Sequence, residues 1–182
     1  PPNILVSRIG EVKLGDFGIA RVADHTSLTA AGAVRGKMGY SSPEQLTGQP
    51  YDSRADLFAI GATLHEVLTG KRVFKGESEV TLLMDCLHAV LFPPSAERPE
   101  VPFEVDRVVM GLLARDLEER TPSAQELGRQ LAALPAELTD EKEARRQLGE
   151  LVVAVQSAQQ GAPVAELATN QPTAIVRPQT SR

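Results

Sequence analysis

Asn3-Ile4-Leu5-Val6-Ser7-Arg8-Ile9-Gly10-Glu11-Val12-Lys13-Leu14-Gly15-Asp16-Phe17-Gly18 is the stretch on which the reading of this chain turns. Ile4-Leu5-Val6 and Val12-Lys13-Leu14 are short β-like runs, and Ser7-Arg8-Ile9-Gly10 between them has turn character, so a short β-hairpin is expected. From Gly15 to Gly39 the residues are Gly, Ala, Ser, Thr and isolated charges without periodicity. That is a long loop, and long ordered loops inside compact domains usually carry function.

Beyond the loop the period changes to that of helices. Ser42-Pro43-Glu44-Gln45 has a capping hydroxyl, Pro at the first helical position and Gln three residues after the cap. Gly48 is the expected stop. Asp52 is the expected cap of a strongly apolar helix with Leu57, Ile60, Leu64, Val67 and Leu68 at helical spacing, ended by Gly70. Ala55, Phe58, Ala59, Gly61 and Ala62 fill its other faces, so it is expected to be buried nearly all round, at the centre of the fold. Ser78 to Leu91 predicts another helix, Pro93 to Pro102 a loop, Val105 to Leu113 a helical stripe, and Thr121-Pro122 the start of a last core helix carrying Leu127, Leu131 and Leu134.

Composition agrees with a mainly α fold. Of 182 residues 42% are hydrophobic but only 4% aromatic, with no Trp, so the core must be built from Leu, Val, Ile and Ala. The net charge of -5 and the lack of a Lys/Arg-rich run give no footprint for nucleic acid. No apolar stretch is long enough to cross a bilayer, and the chain opens without Met or a charged-then-apolar leader. The single cysteine, Cys86, lies in an apolar run and reads as a buried, inert thiol in a reducing cytoplasm. His25, His65 and His88 show no metal-ligand spacing and are expected in loops or on helix surfaces.

Three ordered motifs then stand together: Asn3-Ile4-Leu5, Asp16-Phe17-Gly18 and Ser42-Pro43-Glu44. With them this sequence resembles the protein kinase family over roughly Pro1 to Leu134. Gly18-Ile19-Ala20-Arg21 and Tyr40-Ser41-Ser42-Pro43-Glu44-Gln45 make it similar to the bacterial Hanks-type serine/threonine branch. The implied fold is the helical bundle of the kinase C-terminal lobe with a short N-terminal β-hairpin, an incomplete kinase fold. The resemblance implies a partial kinase domain over 1–134; beyond it the charged residues within 135–158 are expected to form a further helix, and 159–182, rich in Gln, Ala, Thr and Pro, a disordered tail.

The resemblance also implies roles. Asn3 matches the Asn that ends the family's catalytic loop and holds one Mg²⁺, and Asp16 the second metal-binding position; hard cations prefer such oxygens. A strand-end Asn in a turn and an Asp in an Asx-turn are the plain alternatives. Leu5 corresponds to a residue under the adenine ring of ATP, or to an ordinary strand residue. Phe17 packs inward beside Asp16, and Gly18 permits backbone angles that let the segment switch. Asp16 to Glu44 would be the activation segment, with Thr26, Ser27 and Thr29 as candidate phosphorylation sites and Arg21 and Arg35 as local partners. Lys37 departs from the pattern, standing where the family commonly has Thr. Glu44 and Arg120 match a structural ion pair, and Asp56 a buried anchor for the catalytic loop.

Counting back from Asn3 puts the general-base Asp and the Lys after it before Pro1, and no glycine-rich loop occurs in this sequence. The expectation is therefore a partial kinase domain, inactive alone, whose parent moves the γ-phosphoryl group of ATP to Ser or Thr of protein substrates with Mg²⁺. The alternative is a pseudokinase-like or truncated, non-catalytic binding or scaffold module.

Overall fold

The computed structural model describes residues 3–15, 38–135, 138 and 140–161. These form two compact units: the described residues of Pro1–Asp24 with those of Pro135–Arg182, and the described residues of His25–Leu134. The first unit pairs the hairpin with the terminal helix.

In the first unit, β1 (Ile4–Val6) and β2 (Val12–Leu14) pair antiparallel with Ile4 opposite Leu14 and Val6 opposite Val12. The turn closes because Gly10 takes φ 73°, an angle that a side chain disfavours, and because Ser7 Oγ accepts the Glu11 N–H at 3.0 Å. The terminal helix is numbered α6 (Glu141–Gly161), its first turn capped by Asp140, whose carboxylate accepts the Glu143 N–H at 3.0 Å. It runs through residues 159–161, which the sequence reading gave to the tail.

The second unit is helical: α1 (Pro43–Leu46), α2 (Arg54–Thr69), α3 (Glu79–His88), a 3₁₀ turn at Pro94–Ala96, α4 (Phe103–Leu112) and α5 (Ala124–Ala132). α1 has its reciprocal cap, with the Ser42 N–H donating to Gln45 Oε1 at 3.0 Å. α2 ends at Gly70, whose φ of 71° and N–H to Glu66 O at 2.7 Å form a left-handed cap.

Several boundaries differ from the sequence reading. Ser53, not Asp52, occupies the N-cap of α2, although the Asp52 carboxylate still accepts the Arg54 N–H at 2.8 Å. α5 starts at Ala124 rather than at Thr121-Pro122, because Ser123 Oγ caps it by accepting the Glu126 N–H at 3.1 Å. Only Leu127 of that helix is buried; Leu131 is exposed. The stretch expected as pure loop after α3 contains the 3₁₀ turn, which Pro94 opens.

α2 is not buried all round. Ala55, Leu57, Phe58, Gly61, Ala62, His65 and Thr69 are inside, while Asp56, Ile60 and Val67 are exposed along one stripe. The buried faces build two clusters. Phe58, Ala62, Phe74, Leu82, Cys86, Val109 and Leu113 form one, with the Phe58 and Phe74 rings parallel at 6.0 Å; Leu57, Val108, Leu112 and Leu127 form the other. α2 and α4 cross closely at Gly61, where a methyl would sit 2.7 Å from Leu112 Cβ. His65 is buried, contrary to the surface position expected, with Nε2 3.3 Å from Phe92 O. Among the described residues no helix is long and apolar enough to cross a membrane.

Candidate functional site

Asn3 stands at the foot of β1 with an exposed side chain, while its backbone carbonyl accepts the Gly15 N–H at 2.7 Å. The chain entering Asp16 is thus held beside Asn3. An amide oxygen open to solvent suits a hard cation such as Mg²⁺. Leu5 is 43% exposed on the same strand and lies against Gly15, where a methyl would come within 3.0 Å of it. Asp16, Phe17, Gly18, Arg21, Thr26, Ser27, Thr29, Arg35 and Lys37 lie outside the described residues.

Glu44 is anchored within the helical unit. Arg120 Nη1 donates to Glu44 Oε1 at 2.6 Å and Nη2 to Oε2 at 3.1 Å, a bidentate pair with Arg120 1% and Glu44 5% exposed. The remaining guanidinium donors reach the carbonyls of Ala114 at 2.8 Å, Arg54 at 3.2 Å and Arg115 at 3.3 Å, and its Cζ lies 5.0 Å from the Phe58 ring centroid. A buried cation is tolerable because its donors are used in this way. Burial pushes the Glu44 carboxyl up, but hydrogen bonds, chiefly from Arg120, together with the Arg120 charge outweigh it and hold the carboxyl below its ordinary value.

Two further contacts fix the same segment, and neither had a signal in the sequence. Tyr40 Oη donates to Glu66 Oε2 at 2.5 Å with Arg72 5.8 Å from its ring centroid; burial first, then the Glu66 bond, raises the phenol pKa. Cys86 Sγ donates to Ser41 O at 3.7 Å, and burial pushes its thiol up to about 12. Arg115 was also unforeseen: it donates to the carbonyls of Cys86 at 2.6 Å and Ala89 at 2.5 Å, satisfying the C-terminal end of α3. Its only trace was a place in the mixed-charge run Arg115-Asp116-Leu117-Glu118-Glu119.

Asp56 lies on the exposed stripe of α2, the described residues packing against the other faces of that helix.

Residues 1–131 match the protein kinase domain family. The chain is similar to the tyrosine-protein kinase MasK of Myxococcus xanthus, 38% identical over 125 residues, covering 69% of this chain and 19% of that protein. It is 40% identical over 128 residues to the serine/threonine-protein kinase PknB of Mycobacterium leprae, covering 70% of this chain and 21% of the relative. To the probable serine/threonine-protein kinase PknB of Bifidobacterium longum it is 39% identical over 128 residues, 69% of this chain and 19% of that protein. The chain thus spans 19% to 21% of the length of these relatives. With the match covering residues 1–131, and the Glu44–Arg120 pair joining segments 76 positions apart within it, this chain belongs to the protein kinase family, among its bacterial Hanks-type members.

Proposed function

We propose that the parent protein transfers the γ-phosphoryl group of ATP to serine or threonine hydroxyls of proteins, and that this chain supplies part of the metal site, the activation segment and the peptide-docking lobe. The observation that carries this reading is the Gly15 N–H to Asn3 O bond of 2.7 Å. It holds Gly15, the residue before Asp16 in the sequence, against the backbone of Asn3. Mg²⁺, when bound, would neutralise charge developing on the phosphates. Asn3 and Asp16 would hold it through amide and carboxylate oxygens, and Leu5 would lie beneath the adenine ring.

In the transfer, the substrate hydroxyl oxygen bonds to the γ-phosphorus, the bond from that phosphorus to the β–γ bridging oxygen breaks, and ADP leaves. The hydroxyl proton goes to a carboxylate that family spacing puts N-terminal to Asn3. Glu44 and Arg120 fix the end of the activation segment, within which Thr26, Ser27 or Thr29 would take phosphate. Phe17 and Gly18 let its beginning switch, and Lys37 would pair with the upstream carboxylate in place of a Thr. The kinase portion is taken as residues 1–134, in a cytoplasmic setting where ATP is available.

Because one relative is named a tyrosine kinase and two are named serine/threonine kinases, the acceptor is the point to test. The parent protein incubated with Mg²⁺ and γ-labelled ATP should yield labelled phosphoserine or phosphothreonine on acid hydrolysis. Phosphotyrosine alone would overturn the acceptor, and no transfer at all would favour a non-catalytic scaffold.

A further inference from the structure

Among the described residues of the hairpin and terminal-helix unit, two are buried, and both are glycine: Gly10 in the β1–β2 turn and Gly149 inside α6. Glycine buries no side chain, so what is enclosed here is backbone. A methyl on Gly10 would lie 1.9 Å from the carbonyl oxygen of Arg145, and one on Gly149 would lie 2.5 Å from the carbonyl oxygen of Arg8. Turn and helix therefore meet main chain to main chain at two reciprocal points.

Farther along the same helix face, Gln156 Oε1 accepts from Arg8 Nε at 2.8 Å. Residues 145, 149 and 156 are spaced to share that face. Ile9 and Val153 line the groove beside them. The charged side chains point into another set of contacts: Arg145 pairs with Glu141, and Arg146 with Glu143 and Glu150.

We propose that α6, which follows the family match, is an intramolecular strut: its Arg145–Gly149–Gln156 face docks on the hairpin turn and so fixes the strand that Asn3 begins. Each piece needs the other. A two-stranded hairpin with three-residue strands is too short to be stable alone. A polar helix with an internal glycine is marginal in water. The coupling runs down the ladder, from Gly10 N–H on Ser7 O at 3.0 Å, through the paired strands, to Gly15 N–H on Asn3 O at 2.7 Å. Resting on the reading of Asn3 as a metal ligand, the strut lets the segment after the kinase domain control the order of the metal-binding strand.

The test is amide hydrogen exchange on the 182-residue chain and its Gly149→Ala variant, because the two accounts predict opposite signs. In an undocked helix alanine is the better former, and exchange within α6 should slow by about fivefold. Docked as described, the methyl meets Arg8, and exchange should quicken about tenfold across α6 and at the Gly10 and Gly15 amides. Gly128→Ala is the control: no atom lies within 4 Å of its new methyl, so exchange should slow in α5 and stay unchanged in the hairpin. Gln156→Ala removes one contact without strain and should quicken Gly10 exchange more weakly. Slower exchange in α6 of Gly149→Ala with an unchanged hairpin would overturn the docking, and quickened Gly10 with unchanged Gly15 would overturn the control of Asn3. No metal or nucleotide is in the sample, so failure of Asn3 as a ligand would leave these results untouched.

Discussion

Arg120 shows how one side chain can hold a lobe together. Its guanidinium spends its donors on the Glu44 carboxylate and three main-chain carbonyls, so removing Glu44 strands a buried cation. Glu44→Ala should cost the helical unit about 3–5 kcal/mol, read as a shift of the urea unfolding midpoint; a shift within error would contradict the pairing. The sign of the pH dependence follows from the depressed Glu44 carboxyl. Its stabilisation is fully present above the ordinary value of 4.5 and is lost as pH falls through the lower folded value. Unfolding of the native chain should therefore steepen in acid, and the Ala variant should lack that component of the slope. Cys86, with its thiol pushed up to about 12 by burial, should react with a thiol reagent at pH 8 far more slowly in the folded chain than in urea.

At the scale of elements, glycines at two helical sites separate packing from propensity. Gly61 faces Leu112 across the α2–α4 crossing, where a methyl would lie 2.7 Å from Leu112 Cβ, and Gly61→Ala should destabilise by about 1–3 kcal/mol. Gly128 on α5 meets nothing within 4 Å, so Gly128→Ala should stabilise by about 1 kcal/mol. Thermal unfolding of the two variants checks both signs at once.

The same scale shows what the sequence made legible. The hairpin could be read because alternation and a Gly turn are local, and α1 because Ser42, Pro43 and Gln45 lie within four residues. The starts of α2 and α5 were misplaced by one to three residues, since Asp52 and Ser53, or Thr121 and Ser123, compete as caps and only three-dimensional geometry chooses. The exposed stripe of Asp56, Ile60 and Val67 was illegible because burial depends on which faces receive neighbours, which periodicity does not state. Tyr40–Glu66 and Arg115 on the α3 carbonyls escaped for a similar reason: their partners are 26 to 30 residues away and follow no motif. Glu44 and Arg120 are farther apart still, yet their pairing was anticipated through the family resemblance rather than from spacing.

For the whole molecule, the family match over residues 1–131 makes this chain part of a protein kinase domain. In the proposed reading the general base and the glycine-rich phosphate cover lie outside these 182 residues. Purified alone, the chain should bind Mg-ATP no more tightly than the millimolar range (about -4 kcal/mol) and should show no phosphotransfer. Robust autophosphorylation by this chain would mean that the chemistry is assigned to the wrong groups.

The proposed metal role of Asn3 and Asp16 is tested most directly in the parent protein carrying Asp16→Ala, assayed for ATP-dependent phosphotransfer under saturating Mg²⁺ beside the unchanged protein. Loss of at least about 10³-fold in kcat is the expected result. Turnover equal to that of the unaltered kinase would contradict a metal site built from Asn3 and Asp16.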